Sequence, residues 1–113
     1  MEVPHTVVET PAFIKAAGNC MTDEEREGAI AMVAENPRCG DLVRGTGGIR
    51  KVRYAVGSKG KSGGVRVMYF YAGAKVPIFM LSVFAKSSTS NLTKAQRNAL
   101  TGVAKRLVDN YQE

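Results

Sequence analysis

The chain has 113 residues, 44% of them hydrophobic, and a formal charge of +6 at pH 7 with an isoelectric point near 9.6. That length suits one domain, residues 1–113, with a single modest core, and the composition suits a folded chain, so disorder is not the default. No apolar run approaches the roughly 20 residues of a membrane helix and Met1-Glu2-Val3-Pro4 is no export signal, so a cytoplasmic protein without a membrane partner is expected.

Thr6, Val7 and Val8 make His5 to Thr10 a short strand, closed by Pro11. Pro11 suits the first turn of a helix that runs to about Ala17, where Gly18 stops it. Thr22-Asp23-Glu24-Glu25 then reads as a capping box, its acids favoured by the positive end of the helix dipole. Ile30, Val33 and Ala34 follow at helical spacing, and Asn36-Pro37 ends that helix. Gly40, Gly45, Gly47 and Gly48 mark a tight loop before a strand from Ile49 to Val56. In that strand Val52, Tyr54 and Val56 share one face, while Ile49, Lys51 and Arg53 share the other.

The turn-rich run from Gly57 to Gly64 leads to a second strand, Val65 to Tyr71, where Val65, Val67, Tyr69 and Tyr71 oppose Arg66, Met68 and Phe70. Gly73-Ala74-Lys75 reads as a hairpin connection to a third strand, Val76 to Ala85, apolar on both faces and therefore central. Pro77 is tolerable near its start. A final helix spans about Lys94 to Tyr111, opened by a second capping box, Thr93 and Gln96, and striped by Leu100, Val103, Leu107 and Tyr111. These elements predict an α+β fold: a small antiparallel sheet with two N-terminal helices and a C-terminal helix packed on one face.

Charge is distributed unevenly along this order. From Leu42 to Val108 there is no Asp or Glu, but there are Arg44, Arg50, Lys51, Arg53, Lys59, Lys61, Arg66, Lys75, Lys86, Lys94, Arg97, Lys105 and Arg106. Scattered cations usually mean a solvated surface. Cations alternating along strands instead present an anion-binding face, and nucleic acid is the commonest extended polyanion. Lys94, Arg97, Lys105 and Arg106, on the last helix, read as solvated surface.

Other motifs constrain the chemistry by what they lack. Ala55 to Ser62, A-V-G-S-K-G-K-S, misses a nucleotide-binding phosphate loop by its first glycine and leads into a strand, whereas such a loop must open onto a helix. Lys59 and Lys61 there either touch backbone phosphates of a nucleic acid or sit in a solvated turn. Cys20 and Cys39 match no zinc or redox spacing, so two reduced thiols are expected. His5 is the sole histidine, which removes acid–base chemistry by a histidine pair. With no carboxylate cluster in the basic run, two-metal cleavage is disfavoured, and no cofactor is called for. Catalysis on a phosphate would rest on Lys and Arg: a lysine crowded by cations supplies a base, and arginine clamps the charge of a phosphorane.

The chain resembles the RelE/HigB toxins of bacterial and phage type II toxin–antitoxin modules, most closely the HigB branch. The resemblance is carried by V-E-T-P (Val8 to Pro11), E-N-P (Glu35 to Pro37), G-T-G-G-I-R-K-V-R (Gly45 to Arg53), G-K-S-G-G-V-R-V-M-Y (Gly60 to Tyr69), F-A-K (Phe84 to Lys86) and N-L-T (Asn91 to Thr93). It implies a metal-independent mRNA endonuclease that acts in the ribosomal A site and is neutralised by a cognate antitoxin, with a helix-turn-helix protein expected in that role. It also implies a site made of Lys51, Arg53, Arg66 and Lys86, with Arg50, Lys59 and Lys61 holding RNA. Arg53 and Arg66 would clamp the transition state, and Lys86 or Lys51 would be the base.

One departure stands out. Relatives usually read Y-A-K-N-E-K where this chain has F-A-K-S-S-T, so Phe84 lacks an aromatic hydroxyl and Thr89 replaces a lysine. That departure suggests one alternative, a catalytically weakened relative that binds RNA or the ribosome; a second, separate from it, is a ParE-like gyrase inhibitor.

Overall fold

Thr10 joins the first strand to the first helix and shows how the layers are tied together. The computed structural model describes residues 5–56, 64–73, 76–85 and 93–112. Strand β1 (Val7–Glu9) is followed by α1 (Pro11–Gly18) and α2 (Asp23–Glu35). Then come β2 (Asp41–Leu42), β3 (Ile49–Ala55), β4 (Gly64–Phe70), β5 (Ile78–Ala85) and α3 (Lys94–Gln112). The Thr10 hydroxyl accepts from the Phe13 amide at 3.2 Å, capping α1, and donates to the Met80 carbonyl of β5 at 2.8 Å. Pro11 occupies the first turn, as its missing donor allows.

Both anticipated capping boxes form. Thr22 Oγ1 accepts from the Glu25 amide at 3.1 Å while Glu25 Oε1 accepts from the Thr22 amide at 2.8 Å. Thr93 and Gln96 do the same at the start of α3, at 3.1 and 2.9 Å.

The five strands run in the order β1-β5-β4-β3-β2. Strands β2 to β5 pair antiparallel, and β1 adds to β5 in parallel, so the sheet is mixed where an antiparallel one was expected. Nothing in a three-residue strand announces its partner; Val7 simply lands opposite Ile78. Strand β5 is flanked on both sides, as its doubly apolar pattern implied.

That same pattern corrects the expected layering. Phe13, Ala17, Ala29 and Val33 of α1 and α2 pack on Val65, Val67, Tyr69, Ile78, Met80 and Val83. Ile49, Met68, Phe70, Phe79 and Leu81 instead pack with Ala104 of α3, flanked by Leu100, Val103 and Leu107. The helices therefore cover both faces, two on one and α3 on the other, not all three on one. Strands with buried side chains pointing both ways need a layer on each side.

Between Met68 and Tyr69 the β4–β5 register shifts: Tyr69 pairs with Met80 but Met68 pairs with Ser82, leaving Leu81 as an extra residue. Such a bulge re-aims the side chains beyond it, here setting Phe84 opposite Arg66.

Replacing Thr10 by Ala removes a helix cap and a buried bond to Met80 together, and is expected to cost about 1–3 kcal/mol. Thr10→Ser, which keeps the hydroxyl, should recover most of it. Chemical denaturation of both variants checks this, and equal midpoints for wild type and Thr10→Ala would refute the role assigned to the hydroxyl.

Candidate active site

Strand alternation and register assemble the site. On the face that α3 shares, β3 presents Ile49, Lys51 and Arg53 in turn, and β4 presents Phe70, Met68 and Arg66 in the opposite direction. Ile49 lies opposite Phe70, Lys51 opposite Met68, and Arg53 opposite Arg66. One sheet face thus changes character along its length. Its Ile49–Phe70 end belongs to the α3 core, and its Arg53–Arg66 end is cationic.

Extending these rows across neighbouring strands adds two side chains. Phe84 of β5 lies opposite Arg66, and Asp41 of β2 lies opposite Lys51. A cleft of about 430 Å³ is lined by Cys39, Asp41, Lys51, Val52, Arg53 and Arg66. Arg53 is exposed, whereas Lys51 and Arg66 are half-buried. The buried Arg66 Nε has no hydrogen-bond partner among the described residues. Like charges directly opposed on adjacent strands are unfavourable, so a protein that stacks Arg53 on Arg66 gains from any anion placed between them.

Of the residues predicted for this site, Lys51, Arg53 and Arg66 come together. Arg50 does not join them, because alternation turns it to the α1–α2 face, where its Nη1 donates to the Gly40 carbonyl at 2.8 Å. Lys59, Lys61 and Lys86 lie outside the described residues, as does Thr89. The phosphate-loop-like run is followed by strand β4, not by a helix. On α3, Lys94, Lys105 and Arg106 are exposed.

Asp41 was not anticipated. It stands one position before the acid-free run, and a two-residue strand carries no periodicity to reveal which face it serves. Beneath it, on the other face, Tyr69 fixes the chain entering β2. The fully buried Tyr69 hydroxyl donates to the Pro37 carbonyl at 2.7 Å, accepts from the Gly40 amide at 2.9 Å, and lies 3.7 Å from Cys39 Sγ. Burial pushes the Tyr69 phenol well above its usual range, and the contact with the Cys39 thiol pushes the same way. Tyr69 therefore acts as a structural staple at neutral pH.

Among the described residues, no three His, Cys, Asp or Glu side chains converge on a point that could hold a metal ion. Cys20 and Cys39 are free thiols. No described helix is long and apolar enough to cross a membrane.

Comparison with known proteins agrees with this architecture. A double-arginine mutant of the Escherichia coli toxin RelE in its free state matches with a TM-score of 0.56 at 21% identity, covering 77% of this chain and 88% of that one. That likeness shows the fold. The sequence profile of the RelE toxin of the RelE/RelB toxin–antitoxin system matches residues 6–113. The chain therefore belongs to the RelE family of toxin–antitoxin toxins.

Proposed function

We propose that this toxin inhibits translation by cutting mRNA on the ribosome, through metal-independent attack of the RNA's own 2′-hydroxyl on the adjacent phosphorus. The observation that carries this reading is the convergence of Lys51, Arg53 and Arg66 in one cleft, with the buried Nε of Arg66 unpaired among the described residues. Arg53 and Arg66 hold the non-bridging phosphate oxygens and gain strength as these take on charge in the phosphorane. Lys51 and Lys86 are the candidates for proton transfer. Phe84, opposite Arg66, offers an aromatic face and no hydroxyl, so the proton for the leaving group comes from elsewhere.

Toxins of this family pair with an antitoxin. For this chain we expect a protein antitoxin that covers the cleft, with acidic segments suited to its field. Inducing the toxin alone should arrest growth and leave new mRNA 5′ ends inside coding sequences, mapped by primer extension. Free RNA incubated with the purified protein and no ribosomes should stay intact. Arrest with intact mRNA and an induced DNA-damage response would overturn this reading in favour of gyrase inhibition.

A further inference from the structure

Asp41 breaks the pattern of the cleft. Among the described residues it is the one carboxylate lining the cleft, placed by the β2–β3 register directly across from Lys51 and on the same sheet face as Arg53 and Arg66. Neither Asp41 nor Lys51 is engaged in an ion pair among the described residues.

The backbone around Asp41 is held unusually firmly for a two-residue edge strand. The amide of the preceding residue, Gly40, donates to the Tyr69 hydroxyl, its carbonyl accepts from Arg50 Nη1, and Tyr69 also grips Pro37. A Cβ on Gly40 would come within 2.9 Å of both the Lys51 carbonyl and the Tyr69 hydroxyl, so β2 lies as close to β3 as a glycine permits. Fixing the backbone beside a charged side chain, within a field of opposite charge, is what a positioned reacting group requires.

Resting on the mRNA-cleavage reading above, we infer that the Asp41 carboxylate is the proton acceptor of that reaction and the Lys51 ammonium its proton donor. At neutral pH carboxylates are ionised and ready to accept a proton, whereas lysine and arginine already carry theirs. In this scheme the proton of the ribose 2′-hydroxyl passes to Asp41 as the O2′–P bond forms. The P–O5′ bond breaks, and the departing O5′ takes a proton from Lys51. The products are a 2′,3′-cyclic phosphate and a 5′-hydroxyl. Asp41 then releases its proton to water and Lys51 regains one, so no oxidant, metal ion or second substrate is consumed.

Single-turnover cleavage of ribosome-bound mRNA, followed as a function of pH, tests this together with binding of the protein to programmed ribosomes. Among the described residues, the charged and titratable groups that line the cleft with Asp41 are Lys51, Arg53, Arg66 and Cys39. If Asp41 accepts the proton, an acidic limb of the wild-type pH–rate profile depends on its carboxylate. Asp41→Asn is expected to lose about 10²–10⁴-fold in rate, to lose that acidic limb, and to bind ribosomes as well as wild type or better. Asp41→Glu should restore part of the rate, and added formate should partly rescue Asp41→Ala. Wild-type cleavage by Asp41→Asn, an unchanged acidic limb, or a loss of binding that accounts for the loss of rate would each overturn the assignment. A wild-type protein that binds ribosomes but leaves mRNA whole would overturn the cleavage reading, and the proton acceptor with it.

Discussion

Replacing Arg66 by alanine is expected to abolish growth arrest while leaving a folded, abundant protein. Arg66 is the half-buried member of the opposed Arg53–Arg66 pair. Losing one preorganised donor to a developing oxyanion typically costs about 10²–10³-fold in rate, or roughly 3–4 kcal/mol. Stability should move the other way. Removing one of two like charges directly opposed across β3 and β4 relieves a repulsion of up to about 1 kcal/mol, offset by the packing of the arginine stem. Arg66→Ala should therefore unfold at or slightly above the wild-type temperature. Arg66→Lys keeps the charge but not the planar fork, so it should restore only part of the cleavage. Growth curves, protein abundance and primer extension on the same induced cultures separate the outcomes. A well-expressed Arg66→Ala protein that still arrests growth would remove Arg66 from the site. Arg53→Ala should be the milder lesion, because Arg53 is exposed and its charge is better screened by solvent.

The cations could be found in the sequence because strand periodicity is local. Because Ile49 to Val56 reads as a strand, Lys51 and Arg53 must share a face, and the opposite phase of Val65 to Tyr71 sets Arg66 with Met68 and Phe70. That same phase, though, did not say that Met68 and Phe70 would be covered by α3. Periodicity reports that a face is apolar but not which helix buries it, and that is why all three helices were expected on one side. The parallel addition of β1 to β5 and the β2–β3 pairing rest on strands of three and two residues, too short to carry any pattern. Asp41 was lost for this reason. Arg50 differs for the converse reason: its charge suggests RNA, while its place in the alternation sets it on the other face, with Nη1 on the Gly40 carbonyl. Tyr69 looked like an ordinary core aromatic, and only the fold brings Pro37 and Gly40 to its hydroxyl.

Tyr69→Phe should consequently be the most informative single-atom change in the scaffold. It leaves the ring in the core but strips the Pro37 carbonyl of a donor and the Gly40 amide of an acceptor. An orphaned buried polar group costs about 1–3 kcal/mol, so a loss of roughly 2–4 kcal/mol is expected. For a chain of this size that lowers the unfolding temperature by about 10 °C or more. The pH dependence carries a sign of its own. The folded-state pKa of Tyr69 lies above its unfolded value of 10.0, because burial disfavours the phenolate. The unfolded chain can release that proton above its unfolded pKa while the native chain holds it, so this contribution is fully present below that pH and is lost as pH rises beyond it. Titrating stability into the alkaline range should show a steeper decline for wild type than for Tyr69→Phe, with the gap between them narrowing as pH rises. Cleavage measured well below the unfolding temperature should fall less than in Arg66→Ala, since every cation stays in place and only the seating of β2 is loosened. If Tyr69→Phe instead matched wild type in stability at neutral pH, the hydroxyl would not be what holds the α2–β2 connection against the sheet.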